Sequence, residues 1–288
     1  MKSERLRSRI DQHKQSLTKS ETVIADRLRK DGIEVAFSTA QAVSAQLGVS
    51  EATLVRFART IGYDSYQHLQ QDLQDEIRHQ LSITTVERLR DNAAAGSALH
   101  EVFKSSLQRD IENLESSLND FTDADIDAAV DALISARHVY VLGVRASAPA
   151  ALFLSHSLRY VLETVRPFTL SVESYFEEML DIGAEDALVV ITLSRPSPRA
   201  LQLVSFAKDR GAKIVAICDS AHSPIGQLAD VALVVESESV TFIQSYTPVM
   251  SVGLALIAAV GSARHEDAER RLAAAEELIE RYQLNVKW

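Results

Sequence analysis

Residues able to recognise something cluster in two places. In the segment SEATLVRFARTIG, residues 50–62, the apolar side chains Leu54, Phe57, Ala58 and Ile61 recur at i, i+3, i+4 and i+7, the pattern of a helix with one buried face. With those four on a core, Ser50, Thr53, Arg56 and Thr60 fall on the opposite face. Arg56 offers a bidentate fork for guanine, Thr53 a hydroxyl and a methyl, Ser50 a phosphate-facing cap and Arg59 a cation for the backbone. Glu51 suits cytosine or repels phosphate. Ser38 and Thr39, at the head of the preceding segment, complete this candidate DNA-facing set. The chemistry is that of a recognition helix in the major groove, with a solvated face on a plain three-helix bundle as the alternative.

The second cluster lies in two loops, each leaving an apolar run and entering a helix. Gly143-Val144-Arg145-Ala146-Ser147 follows VYVL, and Leu193-Ser194-Arg195-Pro196-Ser197-Pro198 follows ALVVIT. Each combines hydroxyls, an arginine and the N–H groups that open a helix, a set that holds an anion. Gly143, Arg145, Ser147, Ser194, Arg195 and Ser197 are therefore the candidate effector-binding residues. A dinucleotide loop is a poor reading, because Arg145 stands where G-x-G-x-x-G needs its second glycine. Ordinary helix capping by Ser147 and Ser197 would explain the serines but not both arginines. No catalytic set emerges: His156, Glu173 and His222 have no spacing that marks an acid or base. The single cysteine, Cys218, excludes an internal disulfide and a thiolate zinc site. No metal and no cofactor is expected.

The elements that must position these residues can be read from caps and periodicity. Thr18 and Glu21 have capping-box spacing, with Gly32 as the expected C-cap. Ser38 and Gln41 repeat that spacing before a short helix closed by Gly48. Ser50 opens the third helix and Gly62 ends it, so two short helices flank a tight turn, the core of a helix-turn-helix. A polar helix then runs through Leu69, Leu73 and Ile77, and NAAAGS, residues 92–97, marks a break. From Leu99 to Leu118, Leu107, Ile111, Leu114 and Leu118 form a short heptad seam, suited to a partner helix or to the intrachain core. Beyond it the runs VYVL (139–142), ALVVIT (187–192), KIVAIC (213–218) and VALVV (231–235) read as parallel strands buried on both faces, with a weaker strand near Val165–Leu170. Helices over Ile243–Val260 and Asp267–Tyr282 finish the chain.

Composition sets the limits. With 46% hydrophobic and 24% charged residues over 288 positions, the chain is an ordinary globular one. The net charge of −10 excludes a protein that coats nucleic acid all over. Residues 1–60 nevertheless carry 11 Lys and Arg against 7 Asp and Glu, and the remainder 19 against 33, so a nucleic-acid contact belongs at the N-terminus. The lone cysteine and the lack of a long apolar segment lead us to expect a cytoplasmic protein, neither secreted nor membrane-spanning.

The whole chain resembles the RpiR/MurR family of bacterial transcriptional regulators. LTKSETVIADRL, STAQAVSAQLGVSEATLVRFARTIGYDSY and QHLQQDL resemble its N-terminal helix-turn-helix domain. YVLGVRAS, ITLSRPS and AKDRGAKIVAICDSAHSPIGQLADVAL resemble its sugar isomerase (SIS) domain. The resemblance implies a helical DNA-binding domain over residues 1–80, a linker over 81–97 and an α/β SIS domain over 98–288, built on a five-stranded parallel sheet flanked by helices. It also implies operator DNA, a phosphosugar-type effector and a symmetric homodimer or homotetramer as partners, and it places Ser147, Ser194 and Ser197 on ligand-contacting positions. Arg145 and Arg195 depart from the family by replacing loop glycines, which points to a small anionic effector, sugar acid phosphate or non-sugar acid. The competing function is an SIS-type sugar-phosphate isomerase, for which a helix-turn-helix has no use.

Overall fold

The structure is a computed structural model that describes residues 4–30, 32–82, 85–94, 98–168, 175–193 and 195–284. The chain divides into two compact units, residues 1–88 and 89–288.

The first unit is helical: α1 (Glu4–His13), α2 (Lys19–Lys30), α3 (Gly32–Phe37), α4 (Ala40–Leu47), α5 (Glu51–Thr60) and α6 (Tyr66–Ser82). Helix α2 starts at its capping box. The Thr18 N–H and hydroxyl donate to the Glu21 carboxylate at 2.9 and 2.8 Å, and the Glu21 N–H donates back to Thr18 Oγ1 at 3.4 Å. Gly32, expected to cap α2, instead opens α3; it is not among the glycines with left-handed backbone, so it cannot form the usual C-terminal turn. Ser38 is likewise not the cap of α4. The helix begins one residue later, and Ala42 N–H donates to Thr39 Oγ1 at 3.1 Å. Gly48, at φ +63°, closes α4 as expected, and Ser50 Oγ accepts from Thr53 N–H at 3.2 Å to open α5.

Leu54, Phe57, Ala58 and Ile61 are fully buried, packed with Ile24, Leu28, Val35, Val43, Leu69 and Leu73. Helix α1, which the sequence pattern did not mark, adds Leu6 and Ile10 to that core. Each large aliphatic side chain so buried contributes about 1.5–3 kcal/mol.

Helix α7 (Thr85–Ala94) lies within the stretch expected to be a linker. The second unit then runs α8 (Leu99–Asp120), α9 (Asp123–Ile134), β1 (Val139–Gly143), α10 (Ala148–Leu158), β2 (Val165–Pro167), α11 (Tyr175–Glu178), β3 (Ala187–Thr192), α12 (Pro198–Asp209), β4 (Lys213–Cys218), β5 (Val231–Val234), α13 (Thr247–Ala263) and α14 (His265–Arg281). The strands form one parallel sheet in the order β2-β1-β3-β4-β5. Successive residues point to opposite faces. Val139, Val141, Val189, Ile191, Val215 and Ile217 join one core with α9, α10 and α13. Tyr140, Leu142, Leu188, Val190, Ile214, Ala216 and Cys218 join the other with α11 and α12. Both faces are thus covered, which is why the central strands are continuously apolar.

Two expectations need correction. Strand β5 is an edge strand, with Leu233 buried but Val231, Ala232 and Val234 only half-buried, because no further strand covers it. The helix expected from Ile243 begins at Thr247, with Pro248 in its first turn, where a missing N–H costs nothing. Of the two readings of the α8 seam, the exposures favour the outward-facing one: Leu107 is 53%, Ile111 50% and Leu118 75% exposed and Leu114 is half-buried, while the polar Asn113 and Ser117 are buried. Among the described residues no single helix is long and apolar enough to cross a membrane; α13 and α14 reach that only as a pair bent by 109°.

At the amino ends of the strands, Asp186 anchors β3. Arg137 Nε and Nη2 donate to its two oxygens at 3.0 and 2.7 Å, Gly183 N–H donates at 2.9 Å, and His138 Nδ1 lies 3.2 Å away. Burial pushes this carboxyl's pKa up, but the bonds from Arg137, Gly183 and His138 outweigh it and hold the pKa below the ordinary value. A depressed carboxylate stabilises the fold above the unfolded pKa and loses that contribution as pH falls through the folded one. Asp186→Asn should therefore cost about 1–3 kcal/mol at pH 7. In urea unfolding repeated at descending pH, the gap to wild type should close below about pH 4.

Candidate functional site

On α5, a residue step of roughly 100° decides which side chains face solvent. Leu54, Phe57, Ala58 and Ile61 point inward, so Ala52, Arg56 and Arg59 lie on the far side, exposed, with Glu51 exposed at the first position. Thr53, expected among the DNA-facing residues, sits about one residue step from Leu54 and is buried. Its hydroxyl lies 2.9 Å from Ser50 Oγ and accepts from Arg56 Nη2 at 3.3 Å. Thr60 also turns aside, donating to Glu21 Oε1 at 3.0 Å or to Arg56 O at 3.1 Å.

Glu21 is buried between α2 and α5. Burial works against its charge, but hydrogen bonds from Thr18 and Thr60 and the charge of Arg56 prevail, and its pKa lies below the ordinary value. The structure therefore gathers Ser50, Glu51, Arg56 and Arg59 on the exposed side of the helix. Ala52 is the residue missed, because its methyl group gives no polar signal in a sequence. Ser38 is half-buried, and Thr39 is exposed with its oxygen engaged in capping α4.

In the second unit the chain leaves β1 for β2 on one side and returns to β3 on the other, so the strand order reverses between β1 and β3. Ligands of open α/β sheets sit beyond the carboxyl ends of the strands at such a reversal. Both candidate loops leave there, from strands in register at Gly143 and Ile191. Gly143 is required by close packing: a Cβ on it would stand 2.4 Å from the Ser147 carbonyl oxygen and 2.7 Å from Ala151 Cβ. Arg145 has φ +58°, the left-handed backbone that a glycine would adopt freely. Its side chain is exposed, as is that of Arg195.

The two serines behave differently. Ser197 caps α12, accepting from Ala200 N–H at 3.0 Å, as the capping alternative requires. Ser147 caps nothing. It is buried, and its hydroxyl lies 3.0 Å from the phenolic oxygen of Tyr246. Ser194 lies outside the described residues, as does Glu173. Tyr246, which carries no signal in the sequence, arrives from the segment after β5, where a helix is expected from Ile243 but begins only at Thr247. Burial raises its pKa, so the phenol stays protonated at neutral pH. Burial likewise pushes the Cys218 thiol, at the end of β4, up to about 12, leaving it protonated.

Comparison with known proteins agrees with this architecture. The sequence model of the helix-turn-helix domain of the rpiR family matches residues 4–80, and that of the SIS domain matches residues 132–259. The chain is 28% identical over 242 residues to an uncharacterized HTH-type transcriptional regulator of Haemophilus influenzae, covering 81% of this chain and 80% of that one. The sugar isomerase domain of an RpiR transcription factor from Sphaerobacter thermophilus is 26% identical with a TM-score of 0.59, covering 62% of this chain and 99% of that domain. The Vibrio vulnificus NanR protein complexed with ManNAc-6P shares the fold at 18% identity and a TM-score of 0.58, covering 97% of this chain and all of that one. With both domain models in their expected order on one chain, this protein belongs to the RpiR family of HTH-type transcriptional regulators.

Proposed function

We propose that this regulator binds operator DNA through α5 and senses a small anionic metabolite, a sugar phosphate or related acid, at the loops after β1 and β3. Residues 1–80 form the DNA-binding domain, 81–97 the linker and 98–288 the sensing domain. The observation that carries the DNA reading is the exposed face of α5, where Ala52, Arg56 and Arg59 stand clear of the core. A guanidinium fork reads guanine, a methyl group meets the thymine methyl, and Ser50, Thr39 and Arg59 fall to the phosphates. Glu51 leads the helix, where a carboxylate accepts from cytosine and disfavours other bases.

A twofold oligomer suits this reading, because one helix reads few base pairs and dimers read inverted repeats. The exposed Leu107, Ile111 and Leu118 of α8 supply an apolar seam for a second copy. Relatives named as transcriptional regulators support a non-enzymatic, cytoplasmic role. An isomerase would need a positioned acid or base at the ligand. His156 instead stacks edge-on against Tyr160 at 5.6 Å.

For the effector, the supporting observation is Arg145. Its left-handed backbone keeps the path that a glycine would give the loop, while its side chain adds a permanent cation at the rim. Arg195, exposed in the loop after β3, adds a second. ManNAc-6P, the ligand of the NanR structure, is an anion of the expected class.

Two outcomes are expected. In fluorescence anisotropy on the fragment upstream of the protein's own gene, affinity should fall steeply with salt. Arg56→Ala should lose about 1–3 kcal/mol of discrimination against random DNA, and Arg59→Ala should weaken both DNAs alike. Equal losses for Arg56→Ala would make it a phosphate contact, and no preference for the upstream fragment would defeat the operator reading. In calorimetry against a panel of phosphorylated sugars, sugar acids and neutral sugars, an anion should bind best, and Arg145→Ala and Arg195→Ala should each weaken it by about tenfold, as for a charge-assisted hydrogen bond. A neutral ligand binding best, or full affinity in both variants, would overturn the anion site.

A further inference from the structure

The segment between β5 and α13, residues 235–246, together with Thr247 at the start of α13, is a strap held at both ends. At one end Tyr246 meets Ser147, the buried hydroxyl of the loop after β1, at 3.0 Å. Along the rest of its length it is fastened to α8, the long helix that opens the second unit and is joined through α7 in the chain to the DNA-binding helices. Ser245 and Thr247 donate their hydroxyls to the two oxygens of Asp110, at 2.5 and 2.9 Å. Asn113 Nδ2 donates to Glu238 O at 2.7 Å, Arg109 pairs with the Glu238 carboxylate at 3.3 Å, and Glu236 N–H donates to Ser117 Oγ at 3.0 Å. Ser245 N–H donates to Ser237 O at 3.1 Å, closing the strap on itself.

We propose that Tyr246 is a positioning residue of the effector site, and that the strap carrying it couples the Ser147 hydroxyl to α8 through Asp110. This inference rests on the anion-site reading for its ligand, but the physical connection is tested without one. A serine hydroxyl has one proton and two lone pairs, and the Tyr246 O–H can donate to one of those pairs. The Ser147 proton is then left to donate to an anion at the loop, and hydrogen bonds in such a chain polarise one another. An effector that takes the Ser147 proton therefore tightens the Tyr246 contact, fixes the neighbouring Ser245 and Thr247, and holds Asp110 and α8 in the strap-bound position. Without the phenol, Ser147 loses its orienting donor and the strap its hold on the loop. Asp110 matters because both of its oxygens are engaged, one by Ser245 and one by Thr247, on either side of Tyr246. The proposed coupling is reciprocal, so loosening either end must be felt at the other.

Amide hydrogen exchange on the full-length protein tests this, using Tyr246→Phe, Ser147→Ala, their combination, and Asp110→Asn. Tyr246→Phe keeps the ring and removes only the hydroxyl. It should accelerate exchange of the strap and of residues 109–117 on α8 by about 2- to 10-fold, the size of one lost hydrogen bond. Asp110→Asn should accelerate exchange of residues 145–148, across the strap from the substitution, and leave α12 unchanged. Because Tyr246 acts through Ser147, the combined variant should exchange no faster than the faster single variant. Changes confined to the substituted segment, or effects of Tyr246→Phe and Ser147→Ala that simply add, would overturn the proposal. Inorganic phosphate then separates the two readings. Slowed exchange at 143–147 and on α8 in wild type, with the α8 response lost in Asp110→Asn, supports both. Slowing at 143–147 alone in wild type overturns the strap, and no slowing anywhere counts against the anion site while the ligand-free comparison decides the strap.

Discussion

The second unit turns on the contact between Gly143 and the turn that follows it. Because residue 143 has no Cβ, the Ser147 carbonyl and Ala151 can close onto the end of β1, and α10 starts within five residues of the strand. That short connection fixes everything at the corner: it sets Arg145 in a left-handed turn, buries Ser147 and brings the Ser147 hydroxyl to Tyr246. A methyl group at Gly143 would collide with backbone, which cannot move aside as a flexible side chain can. The double-sided burial of β1 and β3 serves the same end, since strands held on both faces present their terminal loops in a fixed register.

The first unit has its own equivalent in Glu21. A single buried carboxylate starts α2 through Thr18, receives Thr60 from α5 and is stabilised by the charge of Arg56. Hydrogen bonds to this one group therefore tie α2 to the helix that carries the exposed arginines. Burying such a charge is unfavourable unless it is matched, and here three donors and a cation match it. The cap of α2 and the orientation of α5 are consequently one feature.

Much of this was legible in the sequence, and the reasons differ by element. Capping residues and left-handed glycines act locally, so Thr18, Gly48, Ser50 and Ser197 could be read as caps directly. Double-sided burial writes itself as unbroken Val and Ile runs, and β1, β3 and β4 followed from that. What failed was whatever depended on tertiary neighbours. Gly32 looked like a stop but enters α3, Thr53 looked outward but lies at the edge of the core, and β5 is apolar although one side of it has no strand. Helix α1 carries few apolar residues, so its two buried positions, Leu6 and Ile10, left no periodic signal. Tyr246 was invisible because its partner lies 99 positions away, in a loop whose approach no pattern encodes.

Arg145 shows how a departure from a family's loop can leave the loop intact. Arginine in place of glycine could have blocked the approach of a ligand or redirected the turn. The turn is not redirected, since the backbone keeps a positive φ, and the side chain is exposed. Holding a non-glycine residue in that region costs about 1–2 kcal/mol, and the cost is borne here by a turn already fixed at Gly143 and at the start of α10. Strain that persists at the carboxyl end of β1, where glycine would remove it, is the kind that folding alone does not favour. The N–H groups of the turn stay where a glycine would have put them, and what changes is the charge at the rim.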